Sequence, residues 1–203
     1  VQTAGWFNKE IKSVDDFNGL KMRTPGLGGE VLTKMGGTVV NMPAGEIFTA
    51  LQTGAIDATE WIGPYNDLAL GLHKAAKYYY TPGWQEPNVT FELDVNLKAW
   101  ETLPDDLKAI VRSAARAVNG DMLDDYNAKN MEAMEQLREQ GVEVRRLPDE
   151  VLARLREVAA EVVDASAAAD PVASKVWEQQ SAYLNRLYEY AELNEKDIYN
   201  IRG

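Results

Sequence analysis

The chain has 203 residues, 45% hydrophobic and 26% charged, which is ordinary globular usage and enough length for a sizeable core, not a fibre or a disordered tail. Its net charge of −11, divided as −3 on residues 1–100 and −8 on residues 101–203, makes it a poor match to nucleic acid or to an anionic membrane surface. With no cysteine and one histidine, His73, it has no disulfides, no thiolate zinc site and no HExxH motif, and no apolar run reaches the roughly 18 residues of a transmembrane helix.

In chain order, Val1–Asn8 is apolar and aromatic and reads as a strand. Ser13-Val14-Asp15-Asp16 has the form of a capping box and opens a short helix ending near Gly19. Lys21–Thr24 reads as a strand stopped by Pro25, Leu27–Met35 as a helix stopped by Gly36-Gly37, and Thr38–Met42 as a strand stopped by Pro43. Gly45–Thr53 is helical with Gly54 as its C-cap. Ile56–Ile62 reads as a strand, and Pro64 suits the first turn of a helix running to about Ala75. Tyr78–Thr81 and Val89–Asn96 read as strands. Strands alternating with short helices predict βαβ units and a parallel sheet.

After Asn96 the pattern changes. Pro104 opens a long helix on which Leu107, Ile110, Val111, Ala114, Val118 and Leu123 form a stripe, running to Gln140 and ended by Gly141. Val142–Leu147 is a short strand. Asp149–Ala168 and Val172–Tyr190 are amphipathic helices separated at Asp170-Pro171. The chain opens on Val1 with no start methionine and no signal peptide, which is expected of a processed chain or a fragment.

In an open parallel sheet, ligands bind beyond the carboxyl ends of the strands. Arg23, before Pro25, and Glu60-Trp61, before Gly63-Pro64, occupy such ends, and Gln2 lies in the opening strand. An arginine there can hold a carboxylate through two parallel hydrogen bonds. A neighbouring glutamate opposes that anion unless a cation lies between them. The Glu60 carboxylate, the Gln2 amide oxygen and a backbone carbonyl are hard donors suited to Na⁺ or Ca²⁺, and a 2-oxo or 2-hydroxy acid completes such a shell. The same Arg and Glu also fit a plain surface ion pair. Gly26-Leu27-Gly28-Gly29 fits either a tight turn or an anion-holding helix start. Asp57, Glu60 and Glu86 fit either scattered surface acids or an acid/base pair. Trp61 and Trp84 are the tryptophans nearest to loops, and Tyr78-Tyr79-Tyr80 suits cleft or core.

Lys21-Met22-Arg23-Thr24-Pro25-Gly26, Gly36-Gly37-Thr38-Val39-Val40, Pro43 and Glu46–Asp57 resemble the solute-binding proteins of TRAP transporters, the tripartite ATP-independent periplasmic uptake systems. Asp57–Asp67, with Tyr78-Tyr79-Tyr80 and Pro82-Gly83-Trp84, resembles the branch that binds 2-oxo acids and lactate with a metal cation. The resemblance runs across the whole chain. It implies an α/β periplasmic binding protein-like (type II) fold of two lobes that close on the ligand, here mostly the second lobe followed by a long-helix C-terminal region. The division it implies is residues 1–62 as the ligand-clamping second lobe, 63–98 as a crossover to the first lobe and back, and 99–203 as helices completing the second lobe and mediating a homodimer. It also implies a first lobe ahead of the point matching Val1, carried by a longer parent or a separate chain.

By the same resemblance, Arg23 clamps the substrate carboxylate, and Gln2, Glu60 and the Trp61 carbonyl ligate Na⁺ or Ca²⁺. Gln2, Trp61 and Trp84 are the further substrate-binding candidates, and Glu86 is a further metal-site candidate. The implied function is a non-enzymatic periplasmic receptor that delivers pyruvate, another 2-oxo acid or lactate to membrane permease subunits. Two other classes stay open on the residues alone: a carboxylate-based hydrolase or lyase, and a helical interaction protein that takes no small ligand.

Overall fold

The computed structural model describes residues 2–88 and 91–202. It divides into two compact units, Val1–Arg156 and Glu157–Gly203. The first is built on a six-stranded sheet: β1 (Gly5–Phe7), β2 (Lys21–Arg23), β3 (Thr38–Val39), β4 (Ala58–Thr59), β5 (Tyr78–Thr81) and β6 (Glu143–Arg146), in the order β3-β2-β4-β1-β5-β6. β2 is parallel to β3 and β4, and β5 is parallel to β6. β1 runs antiparallel to both β4 and β5, so the sheet is mixed where the alternation predicts a parallel one. Local alternation reports the kind of each element but not its direction in the sheet, and β1 enters between β4 and β5 against the rest.

β1 is central, and Gly5, Trp6 and Phe7 are all buried. Gly5 has φ +113°, and a Cβ there would lie 2.2 Å from the Thr59 carbonyl oxygen, so only glycine lets β1 come this close to β4. Trp6 stacks on Tyr79 at 4.1 Å between ring centroids, and Phe7 meets Tyr80 edge-on. The Tyr78–Tyr80 run is therefore mainly core: Tyr79 and Tyr80 are buried, while Tyr78 lies beneath the Arg145 guanidinium.

The short helices follow their stop signals. α1 (Gly26–Lys34) buries Val31 and Leu32, and α2 (Ala44–Thr53) buries Ile47 and Leu51 and ends at Gly54 with φ +73°. The Ser13 capping box forms and opens a 3-10 turn, Val14–Phe17. α3 (Pro64–Leu70) stops at Gly71, earlier than the expected Ala75, because Gly71 takes φ +77° and a 3-10 turn follows. Of the predicted strand Val89–Asn96, Val89 and Thr90 lie outside the described residues. Residues 91–96 pair with no strand among the described residues, and the short helix α4 (Leu97–Thr102) follows.

α5 (Asp105–Glu139) runs 35 residues and ends before Gly141, close to its predicted limits. Its predicted apolar stripe is not core: Leu107, Ile110, Val118 and Leu123 are exposed. The helix is anchored at its C-terminal end, where Leu137 joins Trp6, Ile47, Leu51, Ile56, Leu72 and Tyr79 in one core cluster. α6 (Asp149–Ala168) runs as the sequence predicts. α7 (Pro171–Ala191) opens where Asp170 accepts from the Val172 and Ala173 N–H groups, and a π-helical turn (Glu192–Lys196) leads to α8 (Asp197–Arg202). No helix among the described residues is long and apolar enough to cross a membrane.

Leu137 has no exposed surface and is, with Ala133, one of the two buried residues on α5. Leu137→Ala is expected to cost about 2–5 kcal/mol of stability in a urea titration. A loss below about 1 kcal/mol would show that α5 is not held to the sheet through this residue.

Candidate functional site

Arg23 is the last residue of β2, and Glu60 is the first residue beyond β4. These strands are parallel neighbours with Arg23 opposite Thr59, so both side chains emerge at the same carboxyl edge. Arg23 Nη1 donates to Glu60 Oε1 at 2.6 Å. The side chains retain only 15% and 6% exposure, so this is a buried ion pair and not a solvated surface pair. The Arg23 guanidinium also lies 5.6 Å from the centre of the Trp61 ring.

Gln2 joins them from the chain leading into β1. A Cβ on Gly83 would lie 2.6 Å from the Gln2 carbonyl oxygen, so a glycine at that turn lets Gln2 sit where it does. The Gln2 Nε2 group donates to Glu86 Oε2 at 3.3 Å. Its amide oxygen is buried and accepts no hydrogen bond in the structure. A buried acceptor without a donor is costly.

Gln2, Arg23, Glu60, Trp61 and Glu86 all line one cavity of about 480 Å³. Burial is the largest influence on Glu60 and raises its pKa from 4.5 to about 7; Arg23 draws it down, and Glu86 and Asp67 push it up. Among the described residues no three His, Cys, Asp or Glu side chains cluster as a metal site. A cation in this cavity would therefore rest on one or two carboxylates and neutral oxygens, a donor set proper to Na⁺ or Ca²⁺. The unpaired Gln2 oxygen beside the buried Glu60 fits that demand.

Trp84, the remaining candidate, is half-buried with its indole N–H enclosed and unpaired, and it does not line this cavity. Nor do Gly26–Gly29, although Pro25 does. Asp57 is held by Lys9 at 2.9 Å and by the Lys21 N–H at 3.0 Å and is likewise absent from the cavity wall. His73 is half-buried away from it.

The residue reading missed the part of the cavity wall that α5 supplies. Asn119, Met122, Leu123, Tyr126, Asn127 and Asn130 of α5 line the cavity. Their spacing of three and four is one helix face, and that was the available signal. Asn130 Oδ1 accepts from the Tyr65 N–H at 3.0 Å and ties this wall to the start of α3. It also missed Asp67. That fully buried carboxylate accepts from the Ile62 and Gly63 N–H groups on Oδ1, and from Trp6 Nε1 and the Tyr79 hydroxyl on Oδ2. These bonds pull its pKa down, yet burial outweighs them and it rises to about 6.

Residues 1–170 match the family described as bacterial extracellular solute-binding protein, family 7, and the chain belongs to it. Over 200 residues it is 42% identical to a monocarboxylate 2-oxoacid-binding periplasmic protein of Nostoc sp., a match covering 98% of this chain and 55% of the relative. The fold is similar to a TRAP periplasmic solute-binding protein of Colwellia psychrerythraea solved with calcium and pyruvate: TM-score 0.92, 38% identity, 98% of this chain and 61% of that one. It is also similar to one of Pseudoalteromonas atlantica solved with sodium and pyruvate, with TM-score 0.87, 36% identity and the same shares covered. The chain thus spans a little over half the length of these relatives.

Because the pKa of Glu60 in the folded chain lies above its ordinary value, the stability this group contributes is complete below pH 4.5 and lost as pH rises through about 7. In cation-free buffer the stability of the wild type relative to Glu60→Gln is expected to fall by something on the order of 3 kcal/mol between pH 4 and 8. A pH-independent difference in chemical unfolding would show that Glu60 ionises as an ordinary surface acid.

Proposed function

We propose that this chain is the ligand-clamping part of a periplasmic TRAP solute receptor that binds a small 2-oxo or 2-hydroxy monocarboxylate, such as pyruvate or lactate, together with Na⁺ or Ca²⁺. The observation that carries this reading is the buried Arg23–Glu60 pair beside the unpaired Gln2 oxygen on one cavity wall. Pyruvate in the calcium-bound and sodium-bound relatives supports it.

In this reading the ligand carboxylate takes the Arg23 guanidinium away from Glu60, gaining a charge-assisted contact in a dry site. Glu60, the Gln2 oxygen and the Trp61 carbonyl then hold the cation, with Glu86 contributing charge through its contact with Gln2. When bound, the cation supplies the positive charge that offsets Glu60 and gives the ligand's carboxylate and adjacent oxygen a point of attachment. The ring of Trp61 closes one side of the ligand space, and the α5 face of Met122, Leu123 and Tyr126 offers apolar surface to its tail. The chain binds and releases and performs no chemistry on its ligand.

The partners in this reading are a first lobe, the membrane permease and a second copy of the chain. Residues 63–98 cross to the first lobe and return, between a second lobe of residues 1–62 and helices from 99 to 203. The exposed alternation of Phe91, Leu93 and Val95 suits a strand joining another sheet. Exposed Tyr183, Leu187, Tyr190 and Leu193 along α7 and the turn after it suit a helical homodimer contact.

Calorimetric titration with pyruvate and lactate in Na⁺, in Ca²⁺ and in neither tests the proposal, and saturable binding only with cation is the expected result. Arg23→Ala is expected to cost roughly 100-fold in affinity, since removing one member of a buried charge pair costs about 2–5 kcal/mol. Arg23→Lys, which keeps the charge, controls for folding. Cation affinity is expected to fall as pH drops below about 7, where protons compete for Glu60, and Glu60→Gln is expected to remove that dependence. Binding of equal strength without cation, or in folded Arg23→Ala, would overturn the proposal.

A further inference from the structure

Gln2 and the Trp61–Gly63 segment approach the cavity from well-separated parts of the chain, and one buried carboxylate connects to both, to the second directly and to the first through two side chains. On one side Asp67 Oδ1 accepts from the Ile62 and Gly63 N–H groups, each at 3.1 Å, and so fixes the backbone that follows Glu60 and Trp61. On the other side the Thr3 hydroxyl donates to the Tyr79 oxygen at 2.9 Å, and the Tyr79 hydroxyl donates to Asp67 Oδ2 at 2.7 Å. Thr3 is the residue next to Gln2, and its carbonyl is held in turn by the Gln85 side chain at 2.8 Å. Trp6 Nε1 completes the shell of Asp67 at 2.9 Å and locks the ring on which Tyr79 stacks. Thr3, Tyr79 and Asp67 are all buried, so this chain of bonds has little water to compete with. Both hydroxyl protons have one defined direction, from Thr3 to Tyr79 to Asp67, because the ionised carboxylate only accepts.

We infer that Asp67, acting through Tyr79 and Thr3, is the positioning residue that sets the Gln2 side of the cavity relative to the Glu60–Gly63 side. The inference rests on the reading of this cavity as a cation-dependent carboxylate site. A cation held by donors from two distant segments is sensitive to their spacing, and residues that orient donors from behind typically alter metal affinity by about 10–100-fold when removed. Thr3→Val and Tyr79→Phe each break the relay while keeping shape, and Tyr79→Phe keeps its ring against Trp6.

Calcium-dependent pyruvate binding, measured by calorimetry, is expected to weaken about 10-fold in each single variant. The double variant is expected to be no weaker than the weaker single one, because both cut the same chain. Thr3→Ser, which restores the hydroxyl, is expected to bind as the wild type does. Unchanged affinity in the folded single variants, or losses that multiply in the double variant, would overturn the inference. A wild-type chain that shows no cation-dependent binding would instead sink the receptor reading. A cation-free measurement tests the relay on its own: in Asp67→Asn the NMR signals of the Gln2 side-chain amide and of the Ile62 and Gly63 amides are all expected to shift. A Gln2 signal indifferent to Asp67→Asn would overturn the inference whatever the ligand.

Discussion

The ion pair between Arg23 and Glu60 is costly to build, and much of the surrounding structure follows from it. Removing both charges from water costs several kcal/mol per ion, and their attraction repays that only with good geometry. The sheet provides the geometry: β2 and β4 are parallel neighbours, so the last residue of one and the first residue beyond the other emerge side by side. Burial nevertheless raises the Glu60 pKa to about 7, against the pull of Arg23. A pair built only for stability would be better replaced by apolar residues. This one lines a cavity, where exchange of partners is possible.

Three carboxylates share this region, and their environments set them apart. Glu60 is buried against Arg23, Glu86 meets the Gln2 amide, and Asp67 is enclosed by four donors. Burial raises both Glu60 and Asp67, and Glu86 adds to the rise at Glu60. Burial therefore disfavours the charged form of both carboxylates. The aromatic core of Trp6, Phe7, Tyr79 and Tyr80 carries no such charge and is fully buried.

The long helix α5 joins core to cavity. Leu137 near its C-terminal end belongs to the same cluster as Trp6 and Tyr79, and residues between Asn119 and Asn130 in its middle line the same cavity as Arg23 and Glu60. Its polar and apolar residues suit that double duty: the asparagines offer adjustable hydrogen bonds, and Met122, Leu123 and Tyr126 offer apolar surface.

By itself the sequence determined the kinds of most elements, though not the 91–96 segment, the helix limits set by Gly54, Gly141 and Asp170-Pro171, and the placing of Arg23 and Glu60 at strand ends. These signals act within a few residues, through caps, proline stops and left-handed glycines. Recognition of the motif around Glu60-Trp61 added the family and the cation. Tertiary structure alone decided that Arg23 and Glu60 touch directly, that β1 runs antiparallel, that Gln2 meets Glu86 across 84 positions, that Trp84 stands off the cavity wall and that the α5 stripe is exposed. Each of these depends on strand order and direction, which arise from contacts between residues tens of positions apart, and no local pattern encodes them. Asp67 belongs to the same class: its carboxylate looks like one more surface acid until Thr3, Trp6, Tyr79 and the Ile62–Gly63 backbone are folded around it.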